Sequence, residues 1–215
     1  MTLKNKLIHG NCIDFMKTIP DRLFHHVITD IPYGVVNRDD NGLRTFDKNN
    51  ADVLDFSIPE FINLISDKVQ DKVFIFCASE QVSEIVTLFE IKGFETTLAI
   101  WEKTNPSPAN GQHLWLSGIE CCVIAQKGEL EDSINSPIWR FSSGRSKFHP
   151  TEKPLSLLEH IIIKYTNKGD FIYDPCSGSS STLEAAIKNE RFYCGTELFE
   201  DYYHYGINRL SKYNN

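Results

Sequence analysis

Residues 30–33, Asp-Ile-Pro-Tyr, close the apolar run Val27-Ile28-Thr29 and set a carboxylate, a rigid carbonyl and an aromatic ring together at a strand end. That combination suits chemistry on an amine attached to a flat ring. The lone pair of such an amine is delocalised into the heterocycle, so it attacks a methyl donor only once hydrogen bonds to a carboxylate and a carbonyl localise it. Asp30 and the carbonyl of Ile31 or Pro32 offer those acceptors. Pro32, with φ fixed near −65° and no N–H, stiffens the turn, and Tyr33 can stack on a nucleobase. Taken alone, the tetrapeptide reads more simply as a strand followed by a proline-containing turn.

A second segment changes the balance. Residues 174–182, Asp-Pro-Cys-Ser-Gly-Ser-Ser-Ser-Thr, follow the apolar run Phe171-Ile172-Tyr173 and precede a helical stretch from Leu183 to Glu190. Small residues let a ligand approach the backbone, and the helix N-terminus adds exposed N–H donors that favour a carboxylate or phosphate. Neither the dinucleotide fingerprint G-x-G-x-x-G nor a phosphate-binding loop is present, and in isolation this segment is an N-capped helix. About 20 residues beyond the turn, Glu197 ends the run Phe192-Tyr193-Cys194-Gly195-Thr196, where an acidic side chain suits ribose hydroxyls. By itself it is a glutamate at a strand end.

Together these residues resemble the S-adenosylmethionine-dependent amino methyltransferases of DNA, the N6-adenine and N4-cytosine family. Asp30-Ile31-Pro32-Tyr33 is similar to the family's D-P-P-Y, and 174–182 to its D-P-F-x-G-S-G-T-T loop. His149-Pro150-Thr151-Glu152-Lys153-Pro154 resembles the H-P-T-x-K-P segment found just before that loop in one subgroup. His9-Gly10-Asn11-Cys12 resembles a G-D-C segment that borders the cofactor adenine. With the tetrapeptide early and the loop late, the motif order is that of the circularly permuted β group. Three positions depart from the pattern: Ile31 for proline, Asn11 for aspartate, and Ser180 for a second loop glycine.

The resemblance implies a Rossmann-like α/β fold with a mixed, mostly parallel seven-stranded sheet and helices on both faces. It implies S-adenosylmethionine over Asp174, Pro175, Cys176, Ser177 and Gly178, with Glu197 on its ribose, Asn11 and Cys12 beside its adenine, and Asp30 and Lys153 also bordering it. Asp30, Pro32 and Tyr33 become the catalytic group acting on an extruded base, without a metal. Adenine N6 is preferred, because an aspartate tetrapeptide more often accompanies that activity in the family. The alternatives are an N4-cytosine or RNA amino methyltransferase, a glutamine-amide methyltransferase, and a catalytically silent nucleic-acid-binding partner.

Composition fits an ordinary water-soluble domain. The chain has 215 residues, 41% hydrophobic and 24% charged, enough for one domain spanning 1–215 with a substantial core. No apolar stretch approaches membrane-spanning length and no secretory signal opens the chain, so a cytoplasmic location is expected. The six cysteines form no C-x-x-C pair and read as reduced core or turn residues. The net charge of −7 is awkward for an enzyme acting on DNA, since phosphate neutralisation supplies most non-specific affinity. The segment from Arg140 to Lys153 runs against that balance, and Arg140, Arg145, Lys147 and His149 are the expected DNA-backbone contacts.

The elements that must hold these groups alternate regularly. Strands are expected at 6–8, 26–29, 72–77, 97–101, 119–125, 171–173 and 191–196, and helices at 13–19, 59–69, 81–91, 154–166, 182–189 and 200–211. Pro154 suits a first helical turn, with Leu155, Leu158, Ile161 and Ile162 as the buried stripe. Residues 34–56 are long, polar and rich in Asn and Asp, and read as a mobile flap over the target base. Residues 103–117 resist regular structure, and the stretch from Trp101 to Pro108 resembles one that lines the base pocket in the family. The short stretch 128–147, where relatives insert a recognition domain, is too small for its own core, which favours a homodimer.

Overall fold

Short apolar runs rich in Val, Ile and Phe become the central strands because both of their faces are covered by helices. The computed structural model describes residues 3–33, 55–108, 116–128, 136–144 and 152–213. The flap, His113, Trp115, Arg145, Lys147 and His149 lie outside the described residues, apart from Asp55 and Phe56 at the flap's end. In chain order the elements are β1 (Lys6–His9), α1 (Cys12–Thr18), β2 (Phe24–Asp30), α2 (Ile58–Lys68), β3 (Val69–Cys77), α3 (Val82–Ile91), β4 (Phe94–Pro108), β5 (Leu116–Lys127), β6 (Ile138–Phe141), α4 (Leu155–Tyr165), β7 (Phe171–Asp174), α5 (Ser181–Lys188), β8 (Phe192–Glu197) and α6 (Glu200–Leu210).

They form one sheet in the order β1-β8-β7-β2-β3-β5-β4-β6. The pairings are parallel except where β5 runs against β3 and β4. This is the expected architecture with an eighth strand. β6 adds to the edge through Trp101↔Trp139 and its neighbours, and a four-residue segment with no alternation of its own gives no local signal. β4 also runs further than expected. The Asn-Pro-Ser-Pro stretch at 105–108 remains in the strand: a register irregularity between Glu102 and Ser107 takes up Pro106, and Pro108 is the strand's last residue, opposite Leu116.

Two apolar layers sandwich the sheet. One face carries α1, α2 and α3, with Met16, Phe61, Ile65 and Phe89 against Val27, Val73 and Val123. The other carries α4, α5 and α6, with Leu158, Ile161, Leu183 and Leu210 against Ile28, Phe74 and Ile172. The period-two alternation of a strand separates even adjacent cysteines: Cys121 packs on the first layer and Cys122 in the second. In α4 the buried stripe is Leu157, Leu158, Ile161 and Ile162: three of the four expected positions hold, while Leu155, next to the cap residue Pro154, is only part-buried and Leu157 takes its place.

The connections set the place of the site. β2 leads to α2 on one face, whereas its neighbour β7 leads to α5 on the other. Crossovers that part in this way leave a crevice at the carboxyl ends of the two strands, the usual ligand position in a doubly wound sheet. Asp30 and Asp174 are the last residues of those strands. No helix among the described residues is long and apolar enough to cross a membrane.

Candidate active site

The crevice is lined on one side by Asp30, Ile31, Pro32 and Tyr33 and on the other by residues 174–179, with Glu197 beyond. The two motifs, far apart in the chain, therefore meet in one cleft. Asp30 is tied through Oδ2 to the Lys153 ammonium at 2.5 Å, while its Oδ1 is buried and has no hydrogen-bond partner. Withdrawal from water raises the Asp30 carboxyl to about 6, against the pull of Lys153. Ile31 supplies what the proline of the family pattern lacks: its N–H donates to the Phe76 carbonyl at 3.1 Å and extends the β2–β3 ladder past Asp30. The Pro32 carbonyl accepts from Gln81 Nε2 at 3.1 Å and keeps a second lone pair.

Tyr33 is fixed by its hydroxyl, which donates to Glu120 Oε2 at 3.0 Å and accepts from Lys153 at 3.2 Å. Lys153 also pairs with Glu120 at 2.9 Å, and Lys103 pairs with the other Glu120 oxygen at 2.7 Å. The three N–H donors of Lys153 are thus committed to Asp30, Glu120 and Tyr33, so it neighbours the acceptor side of the cleft and has no donor left for a cofactor carboxylate. Burial opposes ionisation of Glu120, yet the two ammoniums outweigh it and hold its carboxyl at about 2. Glu120 carried no motif, but a glutamate inside the apolar run Ile119–Val123 is the signal that finds it, since a charge on a central strand needs partners.

On the other side, Asp174 is buried and accepts from the Cys176 N–H at 3.2 Å, with the neutral hydroxyls of Thr29 and Thr182 alongside and no cation. Burial dominates, and its carboxyl is pushed up to about 7. Glu197 accepts from Gly178 N at 2.7 Å through one oxygen and from Phe199 N at 2.9 Å through the other, and burial raises its pKa against those bonds. Each oxygen retains acceptor capacity. A hydrogen bond to Cys12, with burial, pushes the Cys176 thiol well up, so this cysteine lines the wall as a neutral thiol.

The loop lies close on β8. A Cβ at Gly195 would sit 2.3 Å from Ser177 Oγ and 2.6 Å from Leu183 Cδ1, so only glycine allows the approach. Ser180 caps α5 with φ 62° and ψ 29°, the left-handed conformation that the replaced glycine would adopt freely. Asn11 caps α1 through Oδ1 and donates from Nδ2 to Asp55 Oδ2 at 2.8 Å. It acts behind the cleft wall formed by Gly10, Cys12 and Asp55, and an aspartate here would repel Asp55. Glu152, next to Lys153, also lines the cleft. One of its oxygens is paired with Arg209 at 2.8 Å and the other, Oε2, is buried and unpartnered.

One expected position falls elsewhere, and one candidate DNA contact lies outside the cleft. Trp101 is a core residue whose Nε1 donates to the Phe141 carbonyl at 3.0 Å, not a wall of the cleft. Arg140 is exposed on the edge strand β6, where it pairs with Glu102 at 2.9 Å, and it does not line the cleft. Among the described residues no group of three or more His, Cys, Asp or Glu is placed to hold a metal ion.

A mostly parallel sheet with a small-residue loop after one strand, an acidic residue after the next and an Asp-x-Pro-Tyr corner alongside is the arrangement of the Rossmann-like methyltransferase fold. A family model described as DNA methylase matches residues 112–208. Over 219 residues the chain is 29% identical to YubD of Escherichia coli (strain K12), which is named as a methylase, covering 96% of this chain and 90% of that protein. It is 27% identical to the type II methyltransferase M2.MboI of Moraxella bovis, covering 89% and 82%. The crystal structure of the M1.HpyAVI–SAM complex superposes with a TM-score of 0.73 at 26% identity, covering 95% of this chain and 98% of that one. In its motifs, in their permuted β-group order and in these matches, the chain is similar to the S-adenosylmethionine-dependent N6-adenine/N4-cytosine amino methyltransferases.

Proposed function

We propose that this chain methylates the exocyclic N6 amine of adenine in DNA. The observation that carries the reading is Asp30 Oδ1, a buried carboxylate oxygen without a partner at the floor of the cleft, beside a tyrosine ring held in place by its hydroxyl. S-adenosylmethionine, the cofactor, supplies an electrophilic methyl group on a positively charged sulfur. The cleft suits a cationic ligand of that size: Asp55, Glu152, Asp174 and Glu197 line it together with Phe56, Leu198 and Phe199. In this reading Glu197 accepts from ribose hydroxyls, and the free oxygen of Glu152 or the carboxyl of Asp174 takes the ammonium of the amino-acid portion.

The target base is out of reach inside a duplex and is extruded at a cost of a few kcal/mol. Asp30 Oδ1 and the tetrapeptide carbonyl accept the two amine hydrogens and localise the lone pair, while the Tyr33 ring covers the base. The same carboxylate, ionised beside Lys153, stabilises positive charge developing on the nitrogen, which is the contribution that preorganised groups make best. The aspartate at the head of the tetrapeptide is what favours adenine over cytosine. Contacts to the DNA backbone are assigned to Arg140, Arg145, Lys147 and His149, whose local positive charge offsets a chain of net charge −7, and a homodimer compensates for the small recognition segment. Incubation with labelled cofactor and genomic DNA, followed by digestion to nucleosides, is expected to place the label in N6-methyladenine. Label in N4-methylcytosine would overturn the choice of base, and label only in RNA would overturn the choice of substrate.

A further inference from the structure

Around Tyr33 the hydrogen bonds close a ring. Lys153 donates to the Tyr33 hydroxyl, that hydroxyl donates to Glu120 Oε2, and the same oxygen accepts from Lys153. Glu120 is itself fixed twice, by the β4–β5 ladder opposite Trp101 and by Lys103 on its outer oxygen. Its side chain and that of Lys153 are 18% and 5% exposed, so neither is a surface pair that solvent can exchange freely. Outside the ring, Lys153 holds one oxygen of Asp30 and leaves the other bare.

We propose that Glu120 is a positioning residue for the transfer: by clamping the Tyr33 hydroxyl and the Lys153 ammonium it fixes the ring over the base and makes Asp30 present a single oxygen to the amine. The proposal rests on the amino-methyltransferase reading of the cleft. An amide in place of the Glu120 carboxylate leaves one neutral oxygen where two anionic ones held the Tyr33 hydroxyl, Lys153 and Lys103, so the clamp on the ring loosens. Lys153 would then be shared by fewer anions and turn more fully to Asp30. The charged and titratable groups that face Asp30 are Lys153, Glu120 and Tyr33, with Asp174 on the adjacent strand and the neutral thiols of Cys77 and Cys122 behind it.

The test compares the full wild-type chain with E120Q, K153M and Y33F, reading cofactor affinity by calorimetry and single-turnover methyl transfer to DNA across pH. E120Q is expected to lose about ten- to a hundredfold in transfer rate, as small misplacements of reacting groups do, with cofactor Kd changed no more than about threefold. Its acid limb should move to lower pH, because Asp30 loses an anionic neighbour and gains more of Lys153, whereas K153M should move the limb upward by about one unit or more. Loss of the Glu120 charge alone shifts the limb without lowering the plateau rate, so the plateau at unchanged cofactor affinity is what separates positioning from a through-space or merely structural role. Y33F keeps the ring and removes only the clamped hydroxyl, so it should slow transfer while binding cofactor normally, and its effect combined with E120Q should be less than additive. Wild-type transfer with an unchanged plateau rate in E120Q overturns the proposal, as does an unchanged rate in Y33F if E120Q fails to fold. Absence of methyl transfer by the wild-type chain would instead sink the functional reading, and the proposal with it.

Discussion

Asp30 and Asp174 end neighbouring parallel strands, and a proline follows each within two residues, yet the fold gives them different surroundings. Asp30 is bound to a cation and keeps one oxygen free at the cleft floor, whereas Asp174 is enclosed by hydroxyls and a backbone N–H with no cation in contact. The strand end delivers a carboxylate to the crevice in either case. What surrounds it decides whether the group is an ionised acceptor waiting for a partner or a buried anchor of a ligand loop. In the proposed reaction, two copies of one local device would serve two different steps.

The comparison is broken most directly at Asp30. Asp30→Ala should lower methyl transfer by about 10³-fold or more while leaving cofactor affinity nearly intact, and a variant that still turns over would remove Asp30 from the chemistry. Asp174→Asn reverses the pattern: calorimetry should show cofactor binding weakened about tenfold, with transfer at saturating cofactor much less affected.

The pH dependence sharpens the same contrast. At saturating cofactor, transfer should rise through pH about 6 as Asp30 ionises and then level off, while cofactor affinity should strengthen through pH about 7 as Asp174 does. A rate that is flat from pH 5 to 8 would deny Asp30 the acceptor role. Stability should respond in the opposite sense. A buried carboxyl raised from 3.8 to about 7 favours the folded state at low pH and loses that contribution as pH climbs across the interval. Glu120, lowered from 4.5 to about 2, contributes above pH 4.5 and loses its share as pH falls toward 2. Urea midpoints measured across this range for the wild-type chain, Asp174→Asn and E120Q separate the two.

The smallest expected effect is at Ser180, on the Asp174 side alone. Its left-handed backbone and unpartnered buried hydroxyl both cost stability, so Ser180→Gly should raise the denaturation midpoint by an amount equivalent to about 1 kcal/mol. A lowered midpoint would mean that the serine makes a contribution these features do not show.

Much of the scaffold was legible because it is local. Pro154 at the start of its helix and the apolar runs of the central strands each announce an element within a few residues. The strand at 138–141 was not legible, since it is a strand only by pairing with β4, and residues 103–108 looked like a loop because their prolines are tolerated only at a bulge and at a strand end. Asn11 and Trp101 illustrate the same limit at the site. Motif position put both beside a ligand, and packing gave one to a helix cap and the other to the core.

The sequence by itself determined the alternation of strands and helices, the two aspartates at strand ends and the small-residue loop, because propensity, periodicity and turn chemistry act over a handful of neighbours. Tertiary structure alone decided that the two strand ends lie side by side, that Glu120 and Lys153 reach the Tyr33 corner across 87 and 120 residues of chain, and which oxygen of Asp30 is left free. Those outcomes follow from the crossovers and from the competition among buried charges for a limited set of partners, which no local stretch of sequence encodes.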